Sequence, residues 1–444
     1  MDKFFDDFEA VDRSVWEAKL QADLRGKDPS ILQIHNTIEE IQFASFHHKS
    51  ERKGLESSPG LYPFTRGMKR SNNQWHNLVR LEVHDETIAN KKSLDLLMKG
   101  ATGIHFVIKK DRINWTQLFN KIGTEHIEVQ ISLLNIQQLE DARSIEGGGQ
   151  INSDFVDGFK MEDLVSISSS LKQNQSRIAL VNGQGIHSVG ANTWQEIAYC
   201  LSAGNAYLGA LIENGLTIDE AAACISFRVG VGSNYFFELA KIRALKNTWA
   251  QIIKAYVPEH NCTYNCSITA TIGHLNKSGK DPYTNLLRQT TEAMSALSAG
   301  VDSIEVLPYD HYHQSQTELA QRMAVNIPLI LQEESYFADV IDPAGGAYSI
   351  ELLTQEIAQK AWSYFQELEK FGGISSNEAL DQLRKDVQAK REERIKLYAS
   401  GNMTLIGMNK FENPDTMNNS WKDSESYLGV ETLRFEQVEI NSPA

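Results

Sequence analysis

Between Leu78 and Gln332 the chain keeps one rhythm: a short apolar or alternating run, a stretch of helical periodicity, then another run. The runs are Leu78–His84, Gly103–Lys109, His126–Leu133, Arg177–Gly183, Cys224–Val229, Tyr264–Ile272, Asp302–Leu307 and Ile327–Gln332. Their lengths suit buried strands, and the segments between them repeat apolar residues three and four apart, as a buried helix face requires. Strands that alternate with helices pair in parallel, because each return needs a crossover. Eight such units predict a closed (β/α)8 TIM barrel in preference to a doubly wound open sheet. The least regular stretch is 134–160, where GGGQ at 147–150 reads as a loop.

The densest unit runs from Cys224 to Ile252. A strand is followed by Gly230-Val231-Gly232, then by a helix whose buried face carries Phe237, Leu239, Ile242, Leu245 and Trp249. Glycines permit a sharp turn or a close approach. The three spaced glycines and later acid of a dinucleotide fingerprint are missing. Around the barrel the reading is an N-terminal helical arm (1–60), the barrel (61–345), a C-terminal helical extension (346–400) and an extended surface tail (401–444). In the arm, Trp16, Leu20 and Leu24 form one stripe, and Ser14–Glu17 has capping-box spacing. A lone helix cannot bury such a stripe, so it needs the body or a partner.

A net charge of −15, from 43 basic and 58 acidic residues, argues against a nucleic-acid surface. No apolar run is long enough to span a bilayer. Cys200, Cys224, Cys262 and Cys266 are too few for a disulfide framework and lack zinc spacing. The acidic start, MDKFFDDFEA, is neither a signal nor a transit peptide, so a cytoplasmic protein is expected.

In a closed barrel, chemistry belongs at the carboxyl ends of the strands. His187, in Asn182–His187, is there a candidate acid, base or cofactor partner, or a rim histidine held by hydrogen bonds. Asp310, His311 and His313 lack a third ligand at convincing spacing, so no metal is expected. Glu333 and Glu334 read as a carboxylate pair or a solvated rim. The loop Gly60–Gly67 offers Tyr62, Thr65 and Arg66, which could grip a nucleotide-bearing ligand or plug the barrel end.

YPFTRG at 62–67 with Trp75 and Leu78-Val79-Arg80, SFRVGVGSNYFFELAKIRALKNTWA at 226–250, DPAGG at 342–346 and LIGMNK at 405–410 occur in this order. Together they resemble the methylmalonyl-CoA mutase family over almost the whole chain. The arm, with VWEAKLQADLRGKD at 15–28, resembles the start of the small subunits of its heterodimeric bacterial members. The resemblance implies residual substrate contacts at Tyr62, Thr65 and Arg66. It also shows losses. The connection from Arg66-Gly67 to Trp75 is shorter than in catalytic members, and the radical-shielding tyrosine has no counterpart. The Gly-Tyr-His pattern reads Gly185-Ile186-His187, leaving a vestigial His187 beside a degenerate Ile186. The strand carrying Arg, His and Gln for the thioester aligns with CSITATIG, placing Cys266, Ile268 and Ala270 at those positions, with Ser267, Thr269 and Thr271 alternating beside them. No Asp-x-His-x-x-Gly motif occurs, and no cobalamin-binding domain is expected here. The resemblance thus implies a catalytically silent small subunit with a self-filled barrel. It would support a large catalytic chain that holds adenosylcobalamin and interconverts methylmalonyl-CoA and succinyl-CoA. The alternative is the acyl-CoA-binding barrel of a mutase whose cobalamin domain is a separate chain.

Overall fold

The computed structural model describes residues 11–44, 46–51, 57–142, 150–174, 177–272, 275–313, 316–412, 422 and 424–439. Eight parallel strands form one sheet: β1 His76–Val83, β2 Gly103–Ile108, β3 Glu128–Ser132, β4 Gln150–Asn152, β5 Ala179–Asn182, β6 Ile225–Val231, β7 Ile268–Ile272 and β8 Ser303–Val306. Their order is β4-β3-β2-β1-β8-β7-β6-β5. A parallel bridge from Ser153 to Ala179 brings the two ends together. The Leu180 amide donates to the Ser153 carbonyl at 2.9 Å across that seam. The sheet is therefore a barrel, with β1 and β8 facing β4 and β5 across the bore.

One of the eight expected strands is misplaced. Ile327–Gln332 lies inside the helix Glu318–Glu333, where Ala324, Ile327 and Leu331 are buried and Ile330 is exposed. A short apolar run does not by itself distinguish a strand from a buried helix segment. The strand not anticipated is β4, in the irregular stretch 134–160. It is three residues long, and Gln150 and Asn152 flank its one apolar residue, so it carries no hydrophobic signature. The glycines at 147–149 lie outside the described residues. Asn182 thus ends β5 and Gly183–His187 follow it, CSITATIG contains β7, and Asp310–His313 follow β8. Glu333 and Glu334 end a helix instead of following a strand.

The outer faces of the strands pack beneath three long helices, Thr193–Glu213, Tyr235–Ala255 and Thr284–Ser298. Trp249 is 1% exposed and meets Phe227 of β6 edge-on at 4.9 Å. The helix Tyr348–Lys370 covers the first two of these helices as an outer layer. Arg243 lies fully buried beneath it, paired with Asp342 and, at 2.7 Å, with Glu351. The helix Asn377–Ala399 follows after Gly372 and Gly373, both at positive φ.

In the arm, the helix Arg13–Asp23 is capped by Asp12, not Ser14, and buries none of its residues; Trp16 stacks on Phe46 at 4.2 Å. Further along, Glu39 docks on the body, accepting from the Thr193 amide at 2.9 Å and hydroxyl at 2.6 Å. Residues after Gly401 do more than run over the surface. Leu405, Met408, Leu433 and Phe435 close a small core with Leu275 and Tyr398.

Candidate functional site in the bore and at its two mouths

Strand alternation sends every second side chain into the bore. On β6 that side carries Arg228, on β8 Glu305, on β2 His105 and on β3 Gln130. All four are buried. Arg228 Nη1 lies 3.1 Å from Glu305 Oε1, and its Nη2 donates to Gln130 Oε1 at 2.6 Å. Glu305 Oε2 meets His105 Nδ1 at 2.5 Å, and His105 Nε2 meets the Ser132 hydroxyl at 2.8 Å. Gln130 donates to Thr269 at 2.8 Å, and Arg228 to Thr271 at 3.2 Å. The guanidinium that could hold an acid is already held by the chain's own carboxylate. A buried charge is stable only when so compensated.

The network sets its own protonation. Burial, aided by Arg228 and opposed by Glu305, pushes the His105 imidazole down to about 4. Burial alone would raise the Glu305 carboxyl, but Arg228 and then His105 hold it well below the usual range. The unfolded chain takes up a proton at a free histidine near pH 6.5 that the fold refuses until about 4. Stability is therefore expected to fall as pH drops through this window, by on the order of 3 kcal/mol from His105. Glu305 adds a loss in the same direction at still lower pH. Urea midpoints between pH 7 and 4 check this: His105→Gln should flatten the slope, and equal slopes in both proteins would refute the assignment.

The positions aligned with substrate contacts do not face this network. Ile268 and Ala270 belong to the apolar core outside the sheet, as does buried Cys266. The alternate residues Ser267, Thr269 and Thr271 take the bore side. A slip of one residue in a strand reverses which face a side chain occupies. The bore-facing positions of β7 nonetheless hold no arginine.

His187 sits at the C-terminal mouth, 4% exposed, in the short helix Gly183–Ser188. A Cβ on Gly230 would lie 2.4 Å from its ring, so the glycine of GVG serves close approach within β6, not a turn after it. Its Nδ1 is 3.2 Å from Glu196 Oε2, which also accepts from Lys241 Nζ at 2.7 Å. Burial would raise the Glu196 carboxyl, yet Lys241 and then His187 keep it low. Ile186 is 1% exposed, inside the main core. Tyr62, Thr65 and Arg66 lie toward the other end of helix Tyr235–Ala255. The Tyr62 hydroxyl donates to Gln251 at 2.7 Å, Thr65 accepts from Asn247 at 2.7 Å, and Arg66 donates to Asp342 at 2.8 Å. Ten residues of helix, about 15 Å, separate Lys241 from Gln251. The four candidates are thus divided between the two ends. Asp310 accepts from the amide of Thr317, the N-cap of helix Glu318–Glu333, at 2.8 Å, and His313 meets the Gly279 carbonyl at 2.9 Å. Among the described residues no group of three or more His, Cys, Asp or Glu converges as a metal site.

The C-terminal mouth is crossed by the chain itself. At the β8 side, the Lys422 amide donates to the Tyr312 carbonyl at 2.9 Å, and Arg434 lies over the Tyr312 ring. Glu425 comes within 3.9 Å of Arg80 of β1. At the opposite rim, the Tyr427 hydroxyl reaches Asp154, beyond β4, at 2.7 Å and Tyr199 at 2.5 Å. The Leu433 amide donates to the Ser188 carbonyl at 2.9 Å. Residues 424–435 form a strap from rim to rim. At the N-terminal mouth lies a cavity of about 1030 Å³, lined by Lys69, Glu128, Arg177, Asp219, Ser267 and Asp302 among others.

Sequence reasoning missed the bore network, although its signal was present. His105, Gln130, Arg228 and Glu305 each sit between two apolar residues of a strand, where a charge or amide must find a buried partner.

Known proteins resemble this chain in sequence. The family model described as Methylmalonyl-CoA mutase matches residues 161–439. A methylmalonyl-CoA mutase small subunit of Porphyromonas gingivalis is 32% identical, over 93% of this chain and 71% of that protein. One of Propionibacterium freudenreichii subsp. shermanii is 26% identical, over 91% and 69%. A methylmalonyl-CoA mutase of Cereibacter sphaeroides is 26% identical, over 90% and 64%. The chain thus spans roughly two thirds of the length of these relatives. With the barrel complete and the match running from its fourth crossover to the strap, the chain belongs to the methylmalonyl-CoA mutase family.

Proposed function

We propose that this chain is the small subunit of a methylmalonyl-CoA mutase. It would be silent by itself and support a large chain that interconverts methylmalonyl-CoA and succinyl-CoA. The observation that carries the reading is the self-paired bore, in which Arg228, Glu305, His105 and Gln130 occupy one another. A thioester threaded through the barrel would have to break the Arg228–Glu305 pair and leave both charges buried, at several kcal/mol. The residues at the C-terminal mouth do not fit adenosylcobalamin either. A cofactor serving a barrel must reach that face, and Tyr427 and its neighbours cross it. The cofactor belongs, on this reading, to the large chain. No described helix is long and apolar enough to cross a membrane, and a cytoplasmic setting suits the four free cysteines.

The arm is the proposed reach toward the partner. Val11, Val15, Ile31 and Ile34, spread along the arm, are 55 to 62% exposed, and exposed apolar side chains of this kind suit an interaction surface. Co-expression with a large mutase chain should give a stable 1:1 complex by size-exclusion chromatography with light scattering. Removing residues 11–33 should weaken that complex at least ten-fold while leaving the barrel's unfolding midpoint unchanged. Turnover of methylmalonyl-CoA by this chain and adenosylcobalamin alone would refute the silent role. Failure to associate with any large chain would refute the partnership.

A further inference from the structure

Lys69 carries a half-buried amine that none of the preceding roles uses. Its segment crosses the N-terminal end of the barrel, and its side chain lines the cavity of about 1030 Å³ there. Nζ donates to the Val301 carbonyl at 2.7 Å and lies 3.4 Å from Asn73 Oδ1. Both partners are neutral oxygens. Lys246, fully inside the protein, donates to the Ala299 and Gly300 carbonyls at 2.8 and 2.7 Å, directly beside the Lys69 acceptor. A second ammonium close to a desolvated lysine is an arrangement that frees a lysine lone pair near neutral pH. Here burial, with help from Lys246 and against the pull of Asp302, brings the Lys69 amine down to about 8.

We propose that Lys69 is an acylation site whose substrates are acyl thioesters entering the N-terminal cavity. The unprotonated Nζ attacks the thioester carbonyl carbon and forms a C–N bond. The tetrahedral adduct collapses with cleavage of the C–S bond, and the departing thiolate takes the proton lost by nitrogen. The products are an amide on Lys69 and a free thiol, with no oxidant or reductant required. The proposed function enters only as the source of thioester: a subunit beside an acyl-CoA mutase meets such compounds continuously. Charges facing the amine are Asp302 and Lys246, and farther round the cavity Glu128, Arg177, Asp219, Glu220, Glu259 and His260. Acylation would remove the positive charge and extend the side chain into the cavity.

The test uses the purified full chain alone, so its outcome is independent of whether a large chain binds. The protein is incubated with acetyl-CoA at pH 8 and treated with hydroxylamine, which strips thioesters from the exposed Cys262 in the same cavity. Peptide mass spectrometry then follows each lysine. Lys69 should be acetylated at least ten-fold faster than Lys19, whose side chain is 73% exposed. Its rate should be half-maximal near pH 8. Lys246→Met should slow the reaction several-fold at pH 7.5, and Asp302→Asn, which keeps the carbonyl oxygen that accepts from the Ile268 amide, should speed it. If Lys246→Met does not fold, Asp302→Asn still reads the electrostatics. Acetylation of Lys69 no faster than Lys19, or no change in rate in the folded variants, would overturn the proposal.

Discussion

Replacing Arg228 by Met is expected to cost about 3–5 kcal/mol of stability, one of the largest losses from any single substitution in this barrel. The reason is electrostatic, not a matter of volume. Glu305, 0% exposed, would keep its charge with only the His105 hydrogen bond and the weaker pull of Arg80 to answer it, and a poorly compensated buried carboxylate costs several kcal/mol. Gln130 would also lose its strongest donor, at 2.6 Å. The double variant Arg228→Met with Glu305→Leu should recover at least half of the loss, because removing both charges removes the desolvation problem. A double-mutant cycle from urea unfolding measures the coupling directly, and a value of 2 kcal/mol or more is expected. Additive single losses would show that the two groups do not act as a pair, and the self-paired bore would fall with them.

Tyr427→Ala should release the strap at the C-terminal mouth. The aromatic ring fills the space that a side chain at position 185 would otherwise take: a Cβ on Gly185 would sit 2.5 Å from it. Removing a buried aromatic costs about 3–5 kcal/mol, here charged mainly to the strap. The Tyr427 hydroxyl also satisfies Asp154, whose carboxyl burial already pushes up and Tyr427 holds back. Amide hydrogen exchange over 424–435 is expected to rise at least ten-fold, with little change in β6 to β8. Gly185→Val attacks the same contact from the other side, through overlap with the ring and with the hydroxyl partners untouched. It should produce the same exchange pattern. Unchanged protection in both variants would mean that the strap is held elsewhere. Opening the strap should not by itself create affinity for an acyl-CoA, because Arg228 and Glu305 still close the bore beneath it.

Much of the fold was legible because its determinants are local. Helical spacing around Trp249 and the apolar run at Ile225–Val231 specify their elements without reference to distant residues. Two elements defeated this reading for opposite reasons. The strand Gln150–Asn152 turns polar side chains into a polar bore, so it has no apolar pattern to display. The segment Ile327–Gln332 is apolar enough for a strand but buries one helical face. The candidate site was less legible still. Tyr62, Thr65 and Arg66 read equally as ligand contacts or as a plug of the barrel end, and only the fold shows their polar groups bonded to Gln251, Asn247 and Asp342.

By itself, the order of residues determined the alternation of strand and helix, seven of the eight barrel strands and the family, since each rests on spacing within a short window. It also placed charges in strands that had to be buried. Which charges met was decided only by barrel closure. His105 and Glu305 are 200 residues apart in the chain, and Tyr427 and Asp154 are 273 apart. Pairing over such separations follows from register and strand order, and from the penalty on any buried charge left alone. That penalty filled the bore with the protein's own ions, a result no local pattern contains.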